Sequence, residues 1–149
     1  MSASNTFETN ILLLIFNNTN IANIGDATGL RGSTAAGSLY VALHTADPGE
    51  AGTQATSEAT YTGYARVAVA RTAGGWTVSG TAPTQVANAA VVTFGNCTAG
   101  SNVITHFSVG HTSSGATDII VSGPLGASYT TAVGNAPQFP VGTLIATVD

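Results

Sequence analysis

The sequence predicts a mainly β protein: an antiparallel β-sandwich or barrel of about eight short strands behind one N-terminal α-helix. Three observations lead there. Apolar residues recur at helical spacing only near the N-terminus. Past residue 38 they alternate with polar residues at period two. Gly, Asn and Pro interrupt that alternation at short intervals, as turns do between strands. The chain of 149 residues reads as a single domain, residues 1–149, with the helix over 5–17 and the β-sandwich over 38–149. A jelly-roll or other Greek-key order is compatible, but strand order is not readable from the pattern.

The helix comes first. Asn5 with Glu8 three residues on makes a capping-box-like start. Phe7, Ile11, Leu14 and Ile15 follow helical spacing, and Leu12 and Phe16 widen the apolar stripe. Asn17, Asn18, Thr19 and Asn20 end it, because Asn and Thr compete for their own backbone. So apolar a helix needs cover, either from the domain's own core or from another subunit docked on Phe7, Ile11, Leu14 and Ile15. Residues 21–37, with Gly25, Gly29, Gly32 and Gly37, read as a loop.

Leu39, Val41 and Leu43 share one face of a first strand, and Ala46 to Gly49 form a turn. Glu50 to Gly63 is polar and reads as a long exposed loop. Strands follow at 65–70, around Trp76 to Val78, at 90–94, 103–109, briefly at 118–122, at 128–132 and at 142–148. No internal repeat is evident.

Composition narrows the function. Charged residues are 7% of the chain against about 25% in an average soluble protein. Lysine is absent, the cations are Arg31, Arg66 and Arg71, and the formal net charge is -4. Three scattered arginines form no basic stripe, which argues against nucleic acid and against anionic membrane surfaces. Surface charge normally keeps a monomer soluble, so a chain this poor in it suits an assembly that covers its surface. Hydration by its many Ser, Thr and Asn residues is the plainer alternative. The apolar periodicity speaks against disorder.

Cys97 is the only cysteine, so no internal disulfide forms. The N-terminus shows no signal peptide, and the longest apolar run, Ile11 to Phe16, is far short of a membrane span. Synthesis in a cytoplasm is expected. The glycosylation-like triplets at Asn17 and Asn96 read as chance.

No catalytic or metal constellation stands out. His44, Asp47 and Glu50 are close in sequence, but Pro48 breaks the segment, and a metal needs convergent ligands. His106 and His111 lie at a strand end and its turn, and Cys97 lacks any thiol-protease surroundings. Gly110 to Gly115 resembles a serine elbow only superficially, since Ser113 has no glycine two residues before it. Gly25 to Gly32 lacks the Lys-Ser/Thr end of a P-loop. No acid pair suggests a glycosidase. Trp76, Tyr61 and Tyr64, with Tyr40, are the candidates for stacking on a sugar, although aromatic residues in β-proteins more often pack in cores. No cofactor or metal is expected.

Four segments in order carry a resemblance: Leu39 to Gly49, Tyr61 to Val69, Thr105 to Val109, and Leu144 to Asp149. Together with the apolar helix before them, they resemble small tailed-bacteriophage virion structural proteins, often labelled tail-fibre or decoration proteins. The stretch Leu30 to Gly37 departs from that group's shorter link. The resemblance implies a virion part without catalysis, whose partners are copies of itself (a homotrimer, by analogy) and other virion proteins such as the major capsid or tail proteins. Its compact size favours a capsid decoration (cement) protein. The alternative is a small tail-fibre, tail or collar adaptor, with Tyr61, Tyr64 and Trp76 binding a receptor glycan. An unrecognised hydrolase is the third reading.

Overall fold

The computed structural model describes residues 3–22, 24, 29, 32–80 and 83–148. One helix, α1 (Asn5–Asn17), precedes nine strands: β1 (Ser38–His44), β2 (Val67–Ala70), β3 (Trp76–Ser79), β4 (Thr84–Asn88), β5 (Val92–Thr93), β6 (Val103–Gly110), β7 (Ile119–Thr130), β8 (Gln138–Phe139) and β9 (Ile145–Val148). They form a four-stranded sheet in the order β2-β1-β6-β7, a three-stranded sheet β3-β4-β9 and a two-stranded sheet β5-β8. The fold is mainly β and sandwich-like, and none of these sheets closes into a barrel. The chain divides into two compact units, each assembled from separated segments.

The first unit comprises Met1–Ser38, Ala70–Val91 and Pro140–Asp149. In it α1 packs on β3 and β4. The helix buries Glu8, Leu12 and Phe16, one residue every four, which is a single stripe. Phe16 meets Trp76 edge to face, ring centroids 4.9 Å apart. Ile21, Val86, Ala87 and Leu144 are also buried in this unit. The sheet is antiparallel throughout, with Trp76 opposite Asn88 and Val86 opposite Ala146. Asn88 ties the strands' ends: its amide donates to the carbonyls of Ala90 and Pro140 (2.8 Å each), and its side-chain oxygen accepts from the Leu144 N–H (2.9 Å).

The second unit comprises Leu39–Val69 and Val92–Phe139. β1 and β6 pair antiparallel at its centre, Val41 opposite Val109 and His44 opposite His106. The small β5-β8 sheet lies on this one through aromatic contacts, with Phe139 edge to face against Phe107 (5.8 Å) and Phe94 (6.1 Å). Gly63 and Gly95 let two backbone segments touch: a Cβ on Gly63 would overlap the Asn96 carbonyl oxygen, and one on Gly95 the Gly63 carbonyl oxygen. Gly63 also has φ +101°, a conformation that glycine alone adopts at no cost.

Several elements differ from the sequence expectation. The N-cap is Ser4, not Asn5: its backbone is extended and its hydroxyl accepts from the Phe7 N–H (3.3 Å). Starting one residue earlier adds a turn bond from the Glu8 N–H to the Ser4 carbonyl (3.0 Å). β4 was not expected because its buried positions include polar Thr84 and Asn88. The expected strands at 118–122 and 128–132 are one strand, β7, which runs through Pro124 and Gly126. It can do so because it is an edge strand, where a missing N–H costs no ladder bond. Of the glycine-rich loop expected over 21–37, residues 23, 25–28, 30 and 31 lie outside the described residues, Asp26 and Arg31 among them.

Candidate functional site

The segment between β1 and β2 is not the exposed loop its polarity suggests. Gln54, Ala59 and Tyr61 are buried within it. What folds it down is a cluster of polar side chains centred on Arg66, itself buried. The Arg66 guanidinium grips Glu58 with both ends, Nε to Oε1 at 2.7 Å and a terminal nitrogen to Oε2 at 2.8 Å. It also donates to the Gln54 side-chain oxygen (3.2 Å) and to the carbonyls of Thr112 (3.3 Å) and Gly115 (2.7 Å). One cation therefore braces the 50–65 segment and the turn after β6 together. The hydrogen bonds to Glu58, more than the cost of burial, hold the guanidinium's pKa above its ordinary value.

The network continues inward. The Gln54 amide donates to the Tyr40 carbonyl (2.9 Å). Tyr64 donates to Glu58 (2.9 Å) and accepts from the Leu43 N–H (3.1 Å), and burial pushes its phenol far above the normal range. His44 sits between the Thr56 carbonyl at Nδ1 and the Ser108 hydroxyl at Nε2, both 2.8 Å. A carbonyl only accepts, so Nδ1 carries the proton and Nε2 accepts from Ser108. This is a serine–histidine pair in outline, illegible along the chain because the two residues are 64 positions apart. Both are wholly buried, and burial lowers the His44 pKa, keeping it neutral. The pair ties β1 to β6.

Of the residues proposed for sugar stacking, Tyr61 and Trp76 are not presented to a ligand, while Tyr64 lines an open cavity beside Arg66. Trp76 is fully buried in the first unit. Tyr61 is 3% exposed, donates to the Gly95 carbonyl (2.9 Å), and is pushed up to about 12 by burial, then by Cys97 and Tyr129. Tyr64 is half-buried, edge-on to Tyr61 and stacked on Phe94. Tyr61 and Trp76 have no free ring face for a sugar.

The other candidates are scattered. His44 is buried while Asp47 and Glu50 are exposed, with Asp47 accepting from the Gly49 N–H (2.9 Å) to make the expected turn. Among the described residues no group of three His, Cys, Asp or Glu side chains could hold a metal, and no helix is long and apolar enough to cross a membrane. Cys97 is buried.

Of the helix residues expected at an interface, Phe7 is 43% exposed and Ile11, Leu14 and Ile15 are half-buried. The buried stripe is Glu8, Leu12 and Phe16, so Phe7, Ile11 and Leu14 form a second apolar stripe beside it. In the second unit, the register of β7 against β6 slips between Tyr129 and Pro124, leaving Leu125 to Ser128 outside the ladder. A half-open cavity of about 210 Å3 lies there, walled by apolar and uncharged residues.

The family model described as "Podophage GP4 fiber I protein gp80" matches residues 2–147. No curated protein matches the chain.

Proposed function

Since the chain belongs to the podophage GP4 fiber I protein gp80 family, a phage structural family of fibre type, we propose that it is a compact part of a tailed phage's fibre apparatus, held there by contact area and performing no chemistry. The observation that carries this reading is the family match over nearly the whole chain. The geometry agrees with it. Both described arginines are spent on internal bracing, and the serine–histidine pair is sealed from solvent. What remains at the surface is mostly neutral, with apolar stretches suited to partner contacts. The family description supports the fibre placement over the capsid decoration that compact size suggested.

The test is to label intact virions with an antibody to this chain and image them by electron microscopy. Label confined to the tail or its fibres is the expected result. Label spread over the capsid lattice would return the protein to a decorating role, and unlabelled particles would remove it from the virion.

A further inference from the structure

The open cavity beside Arg66 presents polar groups that the protein itself leaves unused. It measures about 290 Å3 and lies within the second unit, between the 50–65 segment and the turn after β6. Ala59 and the half-buried Tyr64 give it an apolar side, and Glu58, Arg66, Ser113 and Ser114 a polar one. The reachable member of the ion pair is Glu58, whose side chain is 19% exposed against 1% for Arg66. Its Oε1 accepts from Arg66 and from Tyr64, and its Oε2 accepts from Arg66 alone. A carboxylate has about four acceptor positions, so one at Oε2 is spare. Among the described residues, neither the Ser113 nor the Ser114 hydroxyl has a hydrogen-bond partner. The turn that carries them is nevertheless stapled, because the Thr112 hydroxyl donates to the Ser114 carbonyl (3.0 Å) and meets the Thr117 hydroxyl at 2.8 Å.

We propose that this cavity binds a neutral saccharide. Glu58 Oε2 accepts from a sugar hydroxyl, Ser113 and Ser114 exchange hydrogen bonds with its neighbours, and Ala59 and Tyr64 meet the sugar's C–H groups. Charge and polarity select this class. The Arg66 N–H groups already meet six acceptors, on Glu58, Gln54, Thr112, Thr117 and Gly115, so none is left for a phosphate or a carboxylate. A cation gains little, because Arg66 already matches the Glu58 charge. A wholly apolar ligand would strip water from Oε2 and two hydroxyls and give nothing back. An uncharged ring with closely spaced hydroxyls, each both donor and acceptor, satisfies all three groups. The space of about 290 Å3 sits at the lower end of small-molecule sites, roughly 300–1,000 Å3. The Arg66 network and the Thr112 staple hold the groups in place before a ligand arrives, which lowers the ordering cost of binding. The proposal goes beyond a place in the fibre apparatus and stands or falls separately from it.

The experiment is saturation-transfer NMR on the purified full chain, with glucose, galactose, rhamnose and N-acetylglucosamine as probes and inorganic phosphate as competitor. Two variants address the cavity without touching the Arg66 network. Ala65→Trp sets a large ring on its exposed rim, and the double variant Ser113→Ala, Ser114→Ala removes both hydroxyls. Circular dichroism checks each fold, and the serine variant decides alone should Ala65→Trp disturb it. The expected result is transfer to at least one sugar, with a dissociation constant in the millimolar range, as suits an open site. Phosphate at equal concentration should leave that signal unchanged. Ala65→Trp should abolish it, and the serine variant should weaken affinity by about tenfold, at the scale of two lost hydrogen bonds. No transfer to any of the four sugars overturns the proposal. So does wild-type affinity in a folded variant, which would put the sugar elsewhere, and so does displacement by phosphate, which would mean that the site prefers an anion.

Discussion

Arg66 shows how much one side chain carries when a protein has so few ions. Its bidentate grip on Glu58 is among the stronger geometries available to a side chain. Removing one partner of a buried pair costs about 3–5 kcal/mol, because the other charge is stranded. Arg66→Met is therefore expected to lower unfolding free energy by about that much in urea titration. The double variant Arg66→Met, Glu58→Met should recover most of it, since no lone charge remains. If the double variant is as weak as the single one, bonds to the Gly115 and Thr112 carbonyls, and not the ion pair, hold the segment down. His44 gives the matching pH dependence. Burial places its folded pKa below the unfolded value of about 6.5. The unfolded chain then binds the proton first, so this contribution is complete above about pH 6.5 and is lost as pH falls below it toward the folded value. Urea midpoints should drop on acidification through that window, with a slope of up to about 1.4 kcal/mol per pH unit from this one group. A His44→Gln variant should lose that part of the slope, and an unchanged slope would mean that His44 titrates normally.

Among the elements, α1 depends on a residue far away in the sequence. A helix end leaves its last carbonyls without partners, and α1 has no basic residue in its last turn. Arg71 supplies the missing donors: its Nε reaches the Ile15 carbonyl (2.6 Å) and a terminal nitrogen the Leu14 carbonyl (2.8 Å). The same side chain donates to the Ala36 carbonyl (3.2 Å), drawing the following loop to the helix end. Arg71→Ala should cost about 2 kcal/mol, at the scale of hydrogen bonds from a charged donor, and should speed amide exchange at the end of α1. Arg71→Lys should restore only part, because an ammonium lacks the planar fork. Exchange unaltered in both variants would show that Asn18, left-handed at φ 56°, ends the helix unaided. The helix was legible because its spacing is local: six apolar residues run from Ile11 to Phe16 behind a capping residue. Strands whose alternation was strict, β1 and β6, were legible for the same reason. β4 and β7 were not, because one buries polar residues and the other is long by virtue of lying at an edge. Neither the Arg66 network nor the β7 cavity was legible, since both depend on pairings between residues distant in the chain.

For the whole molecule, the four ordered segments that resemble phage virion proteins marked the family, while composition left an assembly and a well-hydrated surface equally open. With 7% charged residues and no lysine, the chain has little to hold copies apart. Arg66 and Arg71 turn inward, so among the described residues the free surface charge is acidic, including Asp47, Glu50 and Asp118. What the sequence could not convey is the partition into two units, because the chain crosses between them at residues 38–39, 69–70, 91–92 and 139–140, and no linker marks those points. The charge distribution sets the salt response of any association between copies. If contacts were ionic, raising salt from about 0.1 M to about 1 M would shorten the screening length from roughly 10 to 3 Å and weaken them strongly. Contacts built from exposed apolar side chains lose nothing to screening, while the weak repulsion of a net charge of -4 is relieved. The dissociation constant from sedimentation equilibrium should therefore stay the same or fall over that range. A rise of about tenfold or more, equal to about 1.4 kcal/mol, would mean that charged groups dominate the contact after all. Kosmotropic sulfate should tighten association further than chloride at equal ionic strength, because it strengthens the burial of apolar surface.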